Sequence, residues 1–244
     1  MKGNQRMSNV DETKKREVEL RSSISIPTIK RFPSYLRILR QYEEAGHDWV
    51  SATKLAEELG LKPIQVRKDM SCTGVEGRPK VGFEIALLIR AITHCLGWDN
   101  STDALVVGAG HLGSALARYE GFESYGLRIV AMFDRDPGKC GKKMGDVDVL
   151  PLEKLQMFIK ENRINIAAIA VPANQAQAVA DLLIKCGIKA IWNFAPKDLK
   201  IPTGVVLQRT DLATSFAVLS AKLRRMMAGE APVSFEEEEA PGQV

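Results

Sequence analysis

Residues 105–122 read LVVGAGHLGSALARYEGF: an apolar run, glycines at 108, 110 and 113, then a helical stretch. This pattern narrows the choice of fold more than any other in the chain. The first glycine permits a tight turn, the second lets the backbone approach a pyrophosphate, and the third lets a helix pack closely on a strand. The start of that helix offers free N–H groups and partial positive charge to phosphates. Gly108, Ala109, Gly110, His111, Leu112 and Gly113 are therefore candidate dinucleotide contacts; His111 reads also as a solvent-facing loop side chain. Asp134 ends the next strand about 20 residues on, where a carboxylate would hold an adenosine ribose. It argues for NAD over NADP because it would repel a 2′-phosphate, an argument that Arg135 blunts. Lys139 reads as an adenine or phosphate contact, or as solvated. Asp136, before Pro137, reads as a turn residue.

From residue 104 onward strands and helices alternate. ALVVGAG, LRIVAMFDRD, INIAAIAVP, IKAIWNFAP and GVVLQRTD read as strands; HLGSALARYEG, PLEKLQMFIKENR and NQAQAVADLLIKCG read as helices. Such alternation predicts an α/β fold with a parallel, doubly wound sheet.

The glycine motif begins late, about a hundred residues into the chain, and what precedes it does not look like a substrate domain. FPSYLRILRQYEEAG reads as a helix with a Pro-Ser start and a stop at Gly46. VSATKLAEELGLKPIQVRKDMSCTG then predicts two short helices, the first capped by Ser51 and broken by Gly60, the second opened by Pro63. This is the spacing of a helix-turn-helix. In the second helix Ile64 and Met70 are expected to face the core beside Val66, leaving Gln65, Arg67, Lys68 and Ser71 outside. Gln and Arg suit base edges, Lys and Ser suit phosphates. GVEGRPKVGFEI predicts two short strands around a basic tip at Arg78 and Lys80, a wing; EIALLIRAITHCLG predicts a closing helix. With Lys54 these are the candidate DNA contacts. The alternative is a helical cap domain with a merely solvated basic face.

Composition bounds the rest. The net charge of +4 comes from 34 basic and 30 acidic residues, with basic residues dense before residue 91 and GEAPVSFEEEEAPGQV acidic at the end. The first marks a polyanion partner and the second predicts a disordered tail. No run of about 18 apolar residues is present, so no membrane span is expected, and the polar start lacks a secretory apolar region. A cytoplasmic location follows as an expectation. Four scattered cysteines without a CxxC pair predict reduced thiols, with no disulfide and no metal.

The order of these parts resembles the Rex family of bacterial redox-sensing transcriptional repressors, from about residue 27 to residue 227. The matching segments are PTIKRFPSYLRIL, VSATKLAEELGLKPIQVRKD, VGAGHLGSALARYEGF, FDRDPGKCG, AAIAVPANQAQAVADLLIKCGIKAIWNFAP and TDL. The resemblance implies a flexible arm over 1–26, a winged-helix DNA-binding domain over 27–97, a Rossmann NAD(H)-binding domain over 98–212, a helix over 213–228 that crosses to a partner in a homodimer, and an acidic tail over 229–244. In that crossing helix Phe216, Leu219 and Leu223 share a face; the alternative is a helix packed on its own sheet. The resemblance also implies that Val171, Pro172, Asn193 and Phe194 line the nicotinamide end of the site. Arg37, Tyr119 and Asp211 match recurring family positions, with Tyr119 also counted among the cofactor residues. They are expected to couple cofactor to DNA, an Arg37–Asp211 pair joined by the Tyr119 hydroxyl forming in one state only; the alternative is three separate surface residues. Cys72 and Thr73 stand where the family often has an aromatic pair, and the wing is poorer in Gly and Arg than usual, which puts the operator sequence in doubt. The expected function is a repressor, not an enzyme, that releases double-stranded operator DNA as NADH replaces NAD+. The later strands hold no histidine as acid/base. Two rivals remain at this level: a small NAD-dependent oxidoreductase with an N-terminal cap, and a regulator that binds another nucleotide such as coenzyme A.

Overall fold

Ser25 starts the first helix: its hydroxyl accepts the Thr28 N–H, and Pro27 occupies the first turn. Helix α1 spans Ile26–Glu44. It begins about two turns before the Pro-Ser start expected from sequence, so Pro33 lies inside it. The buried stripe Phe32, Tyr35, Leu36 and Leu39 outweighs the one backbone bond that Pro33 cannot make. The structure, a computed structural model, describes residues 24–100 and 102–230. Most of the expected arm and acidic tail lies outside them. By its internal contacts the chain divides into two compact units at Asn100 and Ser101.

In the first unit α1 is followed by β1 (Trp49–Val50), α2 (Ala52–Leu59), α3 (Pro63–Ser71), β2 (Phe83–Glu84) and α4 (Ile85–Leu96). Ser51 caps α2 by accepting the Lys54 N–H at 3.1 Å, and Gly60 ends it in the left-handed region. One core joins Phe32, Leu36, Leu55, Val66, Met70, Leu88 and Ile92. The wing departs from expectation. Its returning segment forms only the two residues of β2, which pair antiparallel with β1, and a single bridge between Arg78 and Gly82 closes the tip. Pro79 has no N–H to donate, so the ladder cannot extend through it.

The second unit contains β3 (Thr102–Val107), α5 (His111–Ala117), β4 (Leu127–Asp134), β5 (Lys143–Met144), β6 (Val147–Pro151), α6 (Leu155–Asn162), β7 (Ile166–Ile169), α7 (Ala173–Lys185), β8 (Ala190–Asn193), β9 (Val206–Arg209) and α8 (Leu212–Met227). The sheet order is β5-β6-β4-β3-β7-β8-β9, parallel except for the β5–β6 hairpin. Successive residues of β3 face opposite layers, as the strand period requires. Leu105 and Val107 join Leu155, Ile159, Val179 and Leu183 from α6 and α7, whereas Val106 joins Met132, Val149 and Ala168 on the other face. No residue of α8 is buried, and Phe216 is 69% exposed.

Candidate functional sites: a nucleic-acid interface and a cofactor cleft

Arg67, Ser71, Arg78 and Lys80 line one open cleft of about 840 Å³ between α3 and the wing, together with Ser51 and Thr53 at the start of α2. Lys80 adopts a left-handed φ of 63° at the tip of the wing. Arg78 lies over the Trp49 ring at 4.5 Å, which fixes its stem while its charge stays outward. Lys68 is exposed outside this cleft. Lys54 is half-exposed and leans toward Glu57 and Glu58 of its own helix.

Two expectations for α3 are corrected. Ile64 does not face the core but is 66% exposed. Gln65 does not point outward: its amide donates to Asp69 Oδ1 at 2.9 Å. Asp69 is the residue that sequence reasoning missed. Its fully buried carboxylate accepts bonds from Thr28 Oγ1 (3.1 Å), Arg31 Nε and Nη2 (both 2.8 Å) and Tyr35 Oη (2.8 Å). Burial pushes its pKa up, but Arg31, Tyr35 and Gln65 outweigh burial and hold it below the usual aspartate value. The network fixes α3 against α1.

The second site lies where the strand order reverses, at the C-terminal ends of β3 and β7, the crevice in which open α/β sheets hold ligands. Gly108, Gly110, Asp134, Arg135, Lys139, Val171 and Pro172 line a cleft of about 530 Å³ there. Gly108 has φ +107°, and a Cβ on it would collide with the Ala170 carbonyl; a Cβ on Gly113 would collide with the Gly108 carbonyl. Gly110 differs: nothing lies within 4 Å of the position its Cβ would take. Asp134 accepts the Ala109 N–H (2.8 Å), the Asp136 N–H (2.9 Å) and the Lys139 ammonium (3.0 Å). Burial raises its pKa, and these three donors outweigh burial, so the carboxylate stays below its ordinary range. Lys139 is therefore committed to Asp134 in this state. The carboxylate of Asp136 accepts the Gly138 N–H, the turn expected of it.

Comparison with known proteins bears on both sites. Residues 23–71 match the model described as "Putative DNA-binding protein N-terminus", and residues 99–197 the model described as "CoA binding domain". The redox-sensing transcriptional repressor Rex of Treponema denticola is 43% identical over 197 residues, 81% of this chain and 94% of its own. The chain belongs to the Rex family. RSP, itself a Rex-family repressor, is similar in structure as well. Its complex with β-NAD+ and operator DNA aligns with a TM-score of 0.79 at 35% identity, covering 84% of this chain and 95% of that one. Its complex with β-NADH aligns at 0.75 and 34%, covering 85% and 97%. Rex membership agrees with a regulator rather than an enzyme, and with an N-terminal DNA-binding domain ahead of a Rossmann-type sheet.

Within this Rex-family chain the remaining expected residues sit apart from the cleft. Ala109 is buried beneath the loop, and His111 and Leu112 are exposed on the first turn of α5. Asn193 is buried, with its amide spent on the turn that follows β8: it donates to the Lys197 carbonyl and accepts the Ala195 N–H. Phe194 packs on Trp192, with centroids 4.7 Å apart. Trp192 in turn meets Phe122, and Phe122 meets Tyr119, at 5.6 and 4.8 Å. The Trp192 indole N–H donates to Thr210 Oγ1 at 2.7 Å, one residue before Asp211. Asp211 caps α8 through the Ala213 N–H and pairs with Arg209. Those bonds, the Ala213 N–H first, hold its carboxylate below the usual value. Sequence reasoning missed Leu152, Gln175 and Val179, which complete the cleft wall. Gln175 and Val179 lie on the helix that follows AVP, and the reversal of strand order would have pointed to them.

Proposed function

We propose that this chain is a dimeric, cytoplasmic repressor that holds double-stranded operator DNA through the α3–wing surface and releases it when NADH occupies the glycine-loop cleft. The observation that carries the reading is one chain holding both parts: a basic helix–wing cleft and an Asp134-anchored glycine cleft, in the architecture that RSP uses with β-NAD+ and operator DNA.

The cleft fits NAD(H). Gly110 leaves the space that a pyrophosphate needs, and Asp134 stands where a ribose is held. When bound, the cofactor supplies one difference in charge, a cationic ring in NAD+ and a neutral ring in NADH. Val171 and Pro172 supply an apolar wall that penalises the cationic ring more than the neutral one. Asp134 repels a 2′-phosphate, and Lys139 and Arg135 soften that repulsion. The apolar stripe of α8 needs a cover, and a second copy supplies it. Arg37, Tyr119 and Asp211 couple the two sites, with the ring contacts from Tyr119 through Phe122 to Trp192 and its bond to Thr210 as the route inside the second unit.

The test starts from a duplex that the protein enriches from a random library. NADH, NAD+, NADPH and coenzyme A are then titrated against the complex. NADH releases the DNA at the lowest concentration. In Gly110→Val the new side chain fills open cleft and nothing else, so the variant binds DNA and no longer answers to NADH. Release by coenzyme A alone would favour the other nucleotide. Steady hydride transfer to a small carbonyl compound would favour the enzyme.

A further inference from the structure

Among the described residues, one strongly apolar side chain on α3 stays out of the core. Ile64 is 66% exposed and takes no part in the core that Val66 and Met70 join. With Arg67, Lys68 and Ser71, all exposed, it forms a stripe at i, i+3, i+4 and i+7, so these four share one face of the helix. Val66, Asp69 and Met70 occupy the buried face.

The neighbours of Ile64 select what can meet it. Lys62 just before the helix and Arg67 and Lys68 on it flank Ile64 and are exposed, so this face turns to a polyanion rather than to an apolar protein surface. Along the major groove of a duplex, phosphates and base edges are polar, and the apolar group within reach of a helix is the C5-methyl of thymine. The first turn of a recognition helix is the part that reaches base edges. Gln65 lies in that turn but is drawn inward to Asp69, so it does not read adenine there. Asp69, tied to α1 by Arg31 and Tyr35, fixes the depth at which the stripe is presented.

We propose that Ile64 is a specificity-determining residue that reads a thymine methyl in the major groove. The inference rests on the DNA-binding reading above. The probe is the duplex enriched by the wild-type chain from a random library, with each thymine replaced in turn by deoxyuridine, which lacks the methyl and keeps the base pairing. At one thymine per half-site the wild type loses roughly three- to tenfold in affinity. Ile64→Ala binds the thymine duplex more weakly by a similar factor and is indifferent to deoxyuridine at that position. Ile64→Val keeps most of the sensitivity. Alanine at an exposed helical position favours the helix, so the fold persists. Wild-type binding indifferent to every replacement, or an Ile64→Ala variant with undiminished sensitivity, overturns the inference and leaves DNA binding standing. Failure of the wild type to enrich any duplex overturns both.

Discussion

Asp69 is a carboxylate with no exposed surface on a helix whose opposite face is cationic. A lone buried carboxylate would take up a proton; this one keeps its charge because Arg31, Tyr35, Thr28 and Gln65 all donate to it. Its folded pKa lies below the unfolded value, so its contribution to stability is complete above the ordinary aspartate range and is lost as pH falls through the folded value. Burial, then the bond to Asp69, pushes the Tyr35 hydroxyl upward. Asp69→Asn leaves Arg31 without its counter-charge. Because Arg31 is partly solvated, the cost falls at or below the low end for a broken buried pair, about 2–3 kcal/mol. Denaturant midpoints measured from pH 7 down to pH 3 check this: the variant starts lower, and its acid limb is flatter than that of the wild type. The network was illegible in the sequence because Thr28, Arg31 and Tyr35 stand 34 to 41 positions from Asp69; only Gln65, four positions away, is near it. An Asp within RKDM reads as one more exposed charge.

Among the described residues none buries a side chain of helix α8. Sixteen residues in water sit near the limit at which a helix holds itself together, so packing must supply the remainder. Leu212, Phe216, Leu219, Leu223 and Met226 recur at spacings of four and three, the seam of a helix that pairs with another. Charged residues on that seam should prevent pairing: Phe216→Glu with Leu219→Glu is expected to convert the dimer to a monomer, read by light scattering during size exclusion. A variant that stays dimeric would place the interface elsewhere. At this scale the sequence was legible where apolar runs or helical periods were long. Strands β3, β4, β7 and β8 and helix α7 all announced themselves. The β5–β6 hairpin did not, because KKMGD hides a two-residue strand among charges, although buried Val147 and Val149 flanking exposed Asp148 carry the alternation of a strand. The start of α1 was misplaced because Pro33 reads as a beginning, whereas Ser25 and Pro27 make the true one. Ile64 reads as a core residue by its apolarity, and apolarity does not tell a core position from an exposed one.

The two units carry separate sites, so a sensor must pass a free energy between them, typically about 1–3 kcal/mol. The proposed coupling route reaches Asp211, whose carboxylate already caps α8. Asp211→Asn keeps the cap and removes the charge, which separates coupling from helix stability. Tyr119→Phe and Asp211→Asn are each expected to shift the NADH concentration that releases DNA. Together they should shift it by less than the sum of their separate effects, since both belong to one network. Release curves for the wild type, the two single variants and the double variant decide; additive shifts would remove the pair from the mechanism. The bare seam of α8 has a consequence of another kind. A fold completed by a second copy obeys mass action, so each tenfold dilution of the protein removes about 1.4 kcal/mol from the assembled form. In the proposed dimer, abundance then becomes an input beside redox state: the less of the protein a cell holds, the less stable its assembled form.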